Sequence, residues 1–91
     1  MAHVSLAKAL QRHADCPPAE IDGASLRSVL DGYFARHPAA RTYVLDETGA
    51  VRKHIAVFVN ETLISDRSEL SDPISEDDRV YVFQALSGGS T

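Results

Sequence analysis

The chain has 91 residues, the length of one compact domain, and 44% of them are hydrophobic, which is ordinary for a folded globular protein. Thirteen acidic residues against nine basic ones give a net charge of −4. This balance argues against nucleic acid as the main partner, because neutralising phosphates needs a surplus of Lys and Arg on one face, but it is compatible with a basic protein partner.

Two short strands are predicted ahead of the main helix. A weak alternation of period two predicts the first strand, and it involves Val4, Leu6, Lys8 and Leu10. The segment 14–18 interrupts this pattern, since its two consecutive prolines cannot continue a central strand. Residues 19–22 are long enough for a short second strand.

The clearest pattern in the first half is an apolar stripe at helical spacing. Its members are Leu26, Val29, Leu30, Tyr33 and Phe34. Ser25 is suited to cap the start of this helix, and His37-Pro38 marks its end, because a residue before proline is pushed out of the helical region. Residues 39–45 are expected to add a short helical turn.

The second half predicts three further strands and one long loop. The strands are expected at 51–59, 63–64 and 79–86. The charged stretch 65–79 is predicted to be a solvated loop that Leu70 and Ile74 anchor to the core.

One helix can cover only one face of a sheet of four or five strands. The residues expected to point toward the helix are Leu6, Ile21, Ile55, Val57, Val80 and Val82. The other face then carries Phe58, Tyr81 and Phe83 toward water. A cluster of aromatic residues on an uncovered sheet face favours a docking surface. A loop folded over that face, or a contact between two copies, is the alternative.

Membrane insertion and disulfide bonding are both disfavoured. Cys16 is the only cysteine, so no intramolecular disulfide can form and no oxidising compartment is needed. The longest uninterrupted apolar stretch, Ile55–Val59, is far too short to cross a membrane, and residues 1–15 lack the apolar region of a signal peptide. We therefore expect a cytoplasmic protein that makes no membrane contact.

The strand order, the segment 59–65, the acidic turn before 79–83 and the closing sequence of 85–89 together resemble the MoaD/ThiS family of ubiquitin-like sulfur carrier proteins. This resemblance covers nearly the whole chain. It implies the α+β fold called β-grasp, with a mixed four- to five-stranded sheet and one main helix on one face. Residues 1–86 would form the β-grasp domain, and residues 87–91 would form a flexible C-terminal tail with the Gly-Gly pair.

The resemblance also implies a chemistry for the tail. In this family an ATP-dependent adenylating enzyme activates the terminal glycine carboxylate, which then receives sulfur and becomes a thiocarboxylate that supplies a biosynthetic enzyme. At the matching positions Gly89 would be the reactive residue and Gly88 its neighbour in the tail. Leu63 and Phe83 match positions of apolar contact with the adenylating enzyme, and Phe58 and Tyr81 would extend that interface. Ordinary packing is the alternative role for these side chains.

The chain departs from the family pattern because Ser90 and Thr91 follow the Gly-Gly pair. With these residues attached, Gly89 has no free carboxylate to adenylate. A JAMM-type metalloprotease removes short extensions from some ubiquitin-like carriers, and we expect such processing here. A cloning remnant, or a member that has lost carrier function, is the alternative explanation.

No catalytic or metal-binding constellation is visible in the sequence. The histidines and the single cysteine lack metal-ligand spacing, and they are His3, His13, His37, His54 and Cys16. We therefore expect neither an enzyme nor a resident cofactor. Two other functions stay open: a ubiquitin-like modifier conjugated through Gly89 to lysines of target proteins, and a plain interaction module with a vestigial tail.

Overall fold

A computed structural model of the chain describes residues 1–11 and 17–84. Its elements are β1 (Ala2–Leu6), α1 (Lys8–Gln11), β2 (Ala19–Ile21), α2 (Leu26–Arg36), α3 (Pro38–Val44), β3 (Ile55–Val59), β4 (Thr62–Leu63) and β5 (Arg79–Gln84). Several sequence expectations fall outside the described residues, namely those on Cys16, on His13, on the last two positions of the strand 79–86, and on Gly88, Gly89, Ser90 and Thr91.

The five strands form one mixed sheet in the order β2-β1-β5-β3-β4. The first and last strands, β1 and β5, run parallel at its centre, and every other neighbouring pair is antiparallel. One face of the sheet packs against α2, and the six strand residues predicted to point inward are all in the core cluster. The predicted α+β architecture, a mixed sheet with the main helix on one face, is confirmed.

The main helix α2 forms where the apolar stripe predicted it. Ser25 caps its start: the Ser28 amide donates to the Ser25 hydroxyl over 3.2 Å, and the Ser25 amide donates to the Ser28 hydroxyl over 3.2 Å. The helix ends at Arg36, and Pro38 opens the short α3 that was expected over 39–45. All five stripe residues are buried, so this helix supplies much of the core.

The expectation that the first strand continues through Lys8 and Leu10 is wrong. The Ala7 amide extends the ladder by donating to the Val82 carbonyl over 2.8 Å, and the Leu10 amide then bonds to the Ala7 carbonyl over 3.0 Å, which turns the chain into α1. Leu6 and Leu10 are four residues apart, the spacing of one helical turn, so the helix buries Leu10 as well as a strand would. Period two and helical spacing coincide at these positions.

The strand expected over 51–59 begins only at Ile55. Val51 makes an isolated bridge to Leu45, and the Ile55 amide bonds to the Arg52 carbonyl over 3.0 Å to close a tight turn. The returning strand is Thr62–Leu63 rather than 63–64, because it pairs with the last two residues of β3 and the chain then bends inward. Ile64, just after it, is buried in the core.

Two arginines hold the loops to this framework. The Arg27 guanidinium donates to three carbonyl oxygens, those of Gly49, Ser68 and Glu69. Arg67 donates through Nη2 to the carbonyl oxygens of Arg52 and Ile55, over 2.6 and 2.8 Å. Since Ile55 is the first residue of β3, Arg67 fixes the point where that strand begins.

The loop 65–78 is ordered by its own aspartates and by two buried anchors. Leu70 and Ile74 are buried, as the sequence predicted. The Asp66 carboxylate accepts hydrogen bonds from the amides of Ser68, Glu69 and Ser71 and from the Ser71 hydroxyl. These bonds, the Glu69 amide first, hold the pKa of Asp66 at about 2, below its ordinary value of 3.8.

Candidate functional site

Four apolar side chains lie together on the sheet face that points away from α2, and we call them the aromatic face: Phe58, Leu63, Tyr81 and Phe83. Strand alternation places them there, because Val80 and Val82 are fully buried while Tyr81 between them is 42% exposed. The strand register then brings residues of three strands next to one another. Phe58 is directly opposite Tyr81 on one side and Leu63 on the other.

The rings of the aromatic face contact one another. Phe58 and Phe83 stack with their centroids 5.5 Å apart, and Tyr81 lies 5.7 Å from Phe83. Ala56, the register partner of Phe83, is almost buried although it does not belong to the core cluster. The aromatic face is therefore packed within itself, with Leu63 at its edge 51% exposed.

Charged side chains border the aromatic face: the exposed Arg79 precedes Tyr81 by two residues on β5 and lies on the same face of the sheet. His3 on β1 and Glu20 on β2 point to the same face of the sheet, and their side chains approach to 4.0 Å. The strands β1 and β2 are separated from β3 and β4 by the central strand β5. The hydroxyl of Tyr81 is the one polar group among these four side chains, and their apolar area can be buried against a partner. Exposed apolar area of this kind is typical of contact surfaces.

The carboxylates with perturbed pKa values lie in turns. Hydrogen bonds lower the pKa of Asp46, Asp66 and Asp78. The main donor is the Thr48 hydroxyl for Asp46 and the Ser75 amide for Asp78. All three are acceptors that close local loops. In residues 1–11 and 17–84 no group of three or more His, Cys, Asp or Glu side chains is placed to hold a metal ion. Within the same ranges no helix has the length and apolar content needed to span a bilayer.

The C-terminal segment begins at one end of the central strand. Gln84, the last described residue, pairs with Ile55 of β3, and the neighbouring Val82 pairs with Leu6 of β1. Gly89 follows Phe83 by six residues, which span at most about 20 Å when fully extended. Two members of the aromatic face, Tyr81 and Phe83, therefore lie on the strand that precedes the Gly-Gly pair in the sequence.

Sequence patterns identified the aromatic face but not Arg67, whose hydrogen bonds hold the start of β3. Alternation along two strands pointed to Phe58, Tyr81 and Phe83, and the structure brings all three together with Leu63. Nothing in the sequence pointed to Arg67, because one arginine in a charged loop belongs to no periodic pattern. That these four side chains contact a partner stays a prediction.

The order of the strands around a central parallel pair, with one main helix across the sheet, defines a ubiquitin-like protein of the β-grasp class. The sequence narrows this class to one family, because the model of the ThiS family matches residues 14–89. The chain belongs to the ThiS family. A search of curated proteins gives no match.

Solved structures of similar fold cover nearly the whole chain. SAMP1 from Haloferax volcanii is 25% identical with a TM-score of 0.76, covering 97% of this chain and 98% of its own. CysO in the BexX/CysO complex of Amycolatopsis orientalis is 22% identical with a TM-score of 0.80, covering 98% and 100%. CysO of Mycobacterium tuberculosis, described as an antigen, is 19% identical with a TM-score of 0.78, covering 93% and 99%. These similarities confirm the fold.

Proposed function

We propose that this chain is a sulfur carrier whose Gly89 carboxylate is activated and converted to a thiocarboxylate. A carboxylate oxygen attacks the α-phosphorus of ATP and releases pyrophosphate, leaving Gly89 as an acyl adenylate. Sulfide, as HS⁻, then attacks the acyl carbon, loses its proton and displaces AMP. The resulting thiocarboxylate donates its sulfur to a biosynthetic enzyme. The observation that carries the proposal is the ThiS family match over residues 14–89, which includes Gly88 and Gly89.

The globular part and the tail have separate tasks in this mechanism. The aromatic face supplies binding area for the adenylating enzyme, and its lack of charge makes it inexpensive to desolvate. The tail supplies reach, because two glycines have no side chains and can pass through a narrow channel to ATP. Adenylation, sulfur supply and sulfur acceptance all take place on partner proteins, so the chain itself needs no catalytic group.

Ser90 and Thr91 have to be removed before Gly89 can react. In the full chain the carbonyl of Gly89 is an amide to Ser90, which has no nucleophilic carboxylate oxygen. The free carboxylate of Thr91 lies next to a β-branched side chain, which a channel shaped for glycine fits poorly. We therefore include a JAMM-type processing protease among the partners. The proposal also places the chain in the cytoplasm, where we expect such carriers to act. The domain boundary belongs to the same proposal, with residues 1–86 as the folded carrier and 87–91 as the tail.

A ubiquitin-like modifier is the second candidate function. One similar structure, SAMP1, is described as a small archaeal modifier protein. In that case the activated Gly89 would form an amide with a lysine of a target protein instead of a thiocarboxylate. Both functions begin with adenylation, and they differ in the nucleophile that follows.

ATP–pyrophosphate exchange with the adenylating enzyme of the same organism tests the first step. We expect exchange with a chain ending at Gly89 and none with the full chain. The matched control is the shortened chain with Gly89→Ala, whose added methyl group should slow exchange by at least about tenfold. Equal exchange by the full chain, with Ser90 and Thr91 still attached, would contradict the processing step. No exchange by either chain would contradict the carrier and the modifier alike.

A further inference from the structure

The ten residues after Ile64, which we call the strap (65–74), bond to two distant parts of the molecule. Strap carbonyl oxygens accept hydrogen bonds from the amides of Leu26 and Arg27, the first two residues of α2, each over 2.9 Å. Another strap carbonyl accepts from the amide of Val51 over 2.9 Å. These three amides therefore lose their hydrogen-bond partners whenever the strap leaves its place.

One carboxylate in the strap fixes the end of β4. Asp72 accepts hydrogen bonds from the amides of Ser65 and Asp66, each over 2.9 Å. The residue before them, Ile64, donates its amide to a carbonyl of β3 over 3.1 Å. β4 itself has only two residues, both exposed, and it pairs with β3 alone at the edge of the sheet. A strand this short adds little stability of its own, so its position depends on the segment that follows it.

Few buried contacts hold the strap in place. Leu70 and Ile74 are the two buried residues among its ten. The hydrogen bonds that Asp66 accepts all lie in exposed positions. Segments with little buried apolar area and with solvent-exposed hydrogen bonds open before the whole protein unfolds.

Leu70 closes the strap in a strained backbone conformation. Its φ is +57°, in the left-handed region, where the side chain comes too close to the following carbonyl oxygen. The side chain is nevertheless fully buried, and the Leu70 carbonyl accepts the hydrogen bond from Arg27. Burial therefore holds Leu70 in a conformation that it would leave in an open strap.

We propose that residues 62–74 form one cooperative opening unit, which the burial of Leu70 holds closed against its backbone strain. When the unit opens, β4 and the strap leave together, while α2 and the other four strands stay folded. Leu63, at the edge of the aromatic face, is then in place only in the closed state. A partner that contacts Leu63 would therefore hold the strap closed as well, a consequence that rests on the proposed function.

Native-state hydrogen exchange of the full chain tests the unit without any partner, so its outcome is independent of the proposed function. The reporters are the amides of Arg27, Val51 and Ile64, which lie in different parts of the fold. We expect these three amides to share one protection factor. It should be at least about thirtyfold lower than the protection of Val4 and Val82, which are buried in the central strands.

Three variants separate this unit from local fluctuation and from global unfolding. Asp72→Ala should speed exchange of all three reporter amides by the same factor, about tenfold. Glu69→Ala is the matched control, because it removes an exposed strap carboxylate that accepts no hydrogen bond from the described residues, and exchange should stay within about twofold. Ile21→Val weakens β2, which stays folded in the open state. It should speed exchange of Val4 and Val82 about fivefold and leave the three reporters unchanged.

A pair of variants at Leu70 tests the strain. Glycine is less stable than alanine at ordinary positions, but the order reverses where φ is positive. We therefore expect the unit to open about threefold less often in Leu70→Gly than in Leu70→Ala. Slower exchange in the alanine variant would show that Leu70 carries no strain, contrary to the proposal.

The exchange pattern itself can overturn the unit. The proposal is wrong if Arg27, Val51 and Ile64 have unrelated protection factors, or if Asp72→Ala speeds only one of them. It is also wrong if Ile21→Val speeds the reporters as much as the central amides, because the strap would then open only when the whole chain unfolds.

Discussion

The two exposed tyrosines allow a matched test of the aromatic face. Tyr81 is 42% exposed on the aromatic face, and Tyr43 is 39% exposed on α3. Truncating Tyr81 to alanine removes a ring that lies 5.7 Å from Phe83, a contact worth about 0.5–1.5 kcal/mol to the stability of the fold. A tyrosine buried centrally in a partner interface costs about 2 kcal/mol or more of binding free energy when truncated, which is about thirtyfold in Kd. Tyr81→Ala should therefore cost more in binding than in stability.

Calorimetric titration with the adenylating enzyme and thermal melting measure these two costs separately. We expect Tyr81→Ala to weaken binding about thirtyfold while the protein stays folded, with a Tm lower by about 2–12 °C. Tyr43→Ala should leave the affinity within about twofold. If the two variants weaken binding equally, or if Tyr81→Ala leaves the affinity unchanged, the aromatic face is not the contact surface.

Three other variants test the surface and the loops. Leu63→Asp should melt within about 4 °C of the natural chain, because Leu63 is half exposed on an edge strand, yet it should weaken binding of the adenylating enzyme at least tenfold by calorimetry. Arg67→Leu removes both hydrogen bonds that hold the start of β3 and should cost about 2 kcal/mol in urea unfolding; a cost below about 0.5 kcal/mol would show that this contact does not hold the strand. The lowered pKa of Asp66 contributes stability that is fully present above about pH 4 and is lost as the pH falls toward about 2. Asp66→Asn should therefore flatten the dependence of the free energy of unfolding on pH across that window, as measured by denaturant unfolding. An unchanged pH dependence would contradict the assigned pKa.

The sequence was most informative where one face of an element is buried and the other is not. The stripe from Leu26 to Phe34 predicted α2 almost residue by residue, and alternation along β5 separated Val80 and Val82 from the rings on the other face. Both patterns follow directly from burial. They sufficed to predict the α+β sheet and to bring the aromatic face together.

The features that the sequence did not predict depend on contacts that join distant parts of the chain. The start of β3 is set by Arg67, twelve residues after Ile55 in the sequence, through hydrogen bonds that leave no periodic trace. The first strand ends early because Leu10 satisfies the core equally well from a helix. The first and last strands, β1 and β5, come together by parallel pairing, and a topology of this kind cannot be deduced from the two local segments.

The central claim is that Gly89 carries sulfur once its carboxylate is free, and intact-mass spectrometry measures this most directly. The chain is incubated with ATP, its adenylating enzyme and a sulfur donor, both as the full sequence and ending at Gly89. We expect the shortened chain to gain about 16 Da, the replacement of one oxygen by sulfur at the carboxylate, and the full chain to gain nothing. No gain by the shortened chain with its genuine partner enzyme, or an equal gain by a full chain that keeps Ser90 and Thr91, would contradict the account.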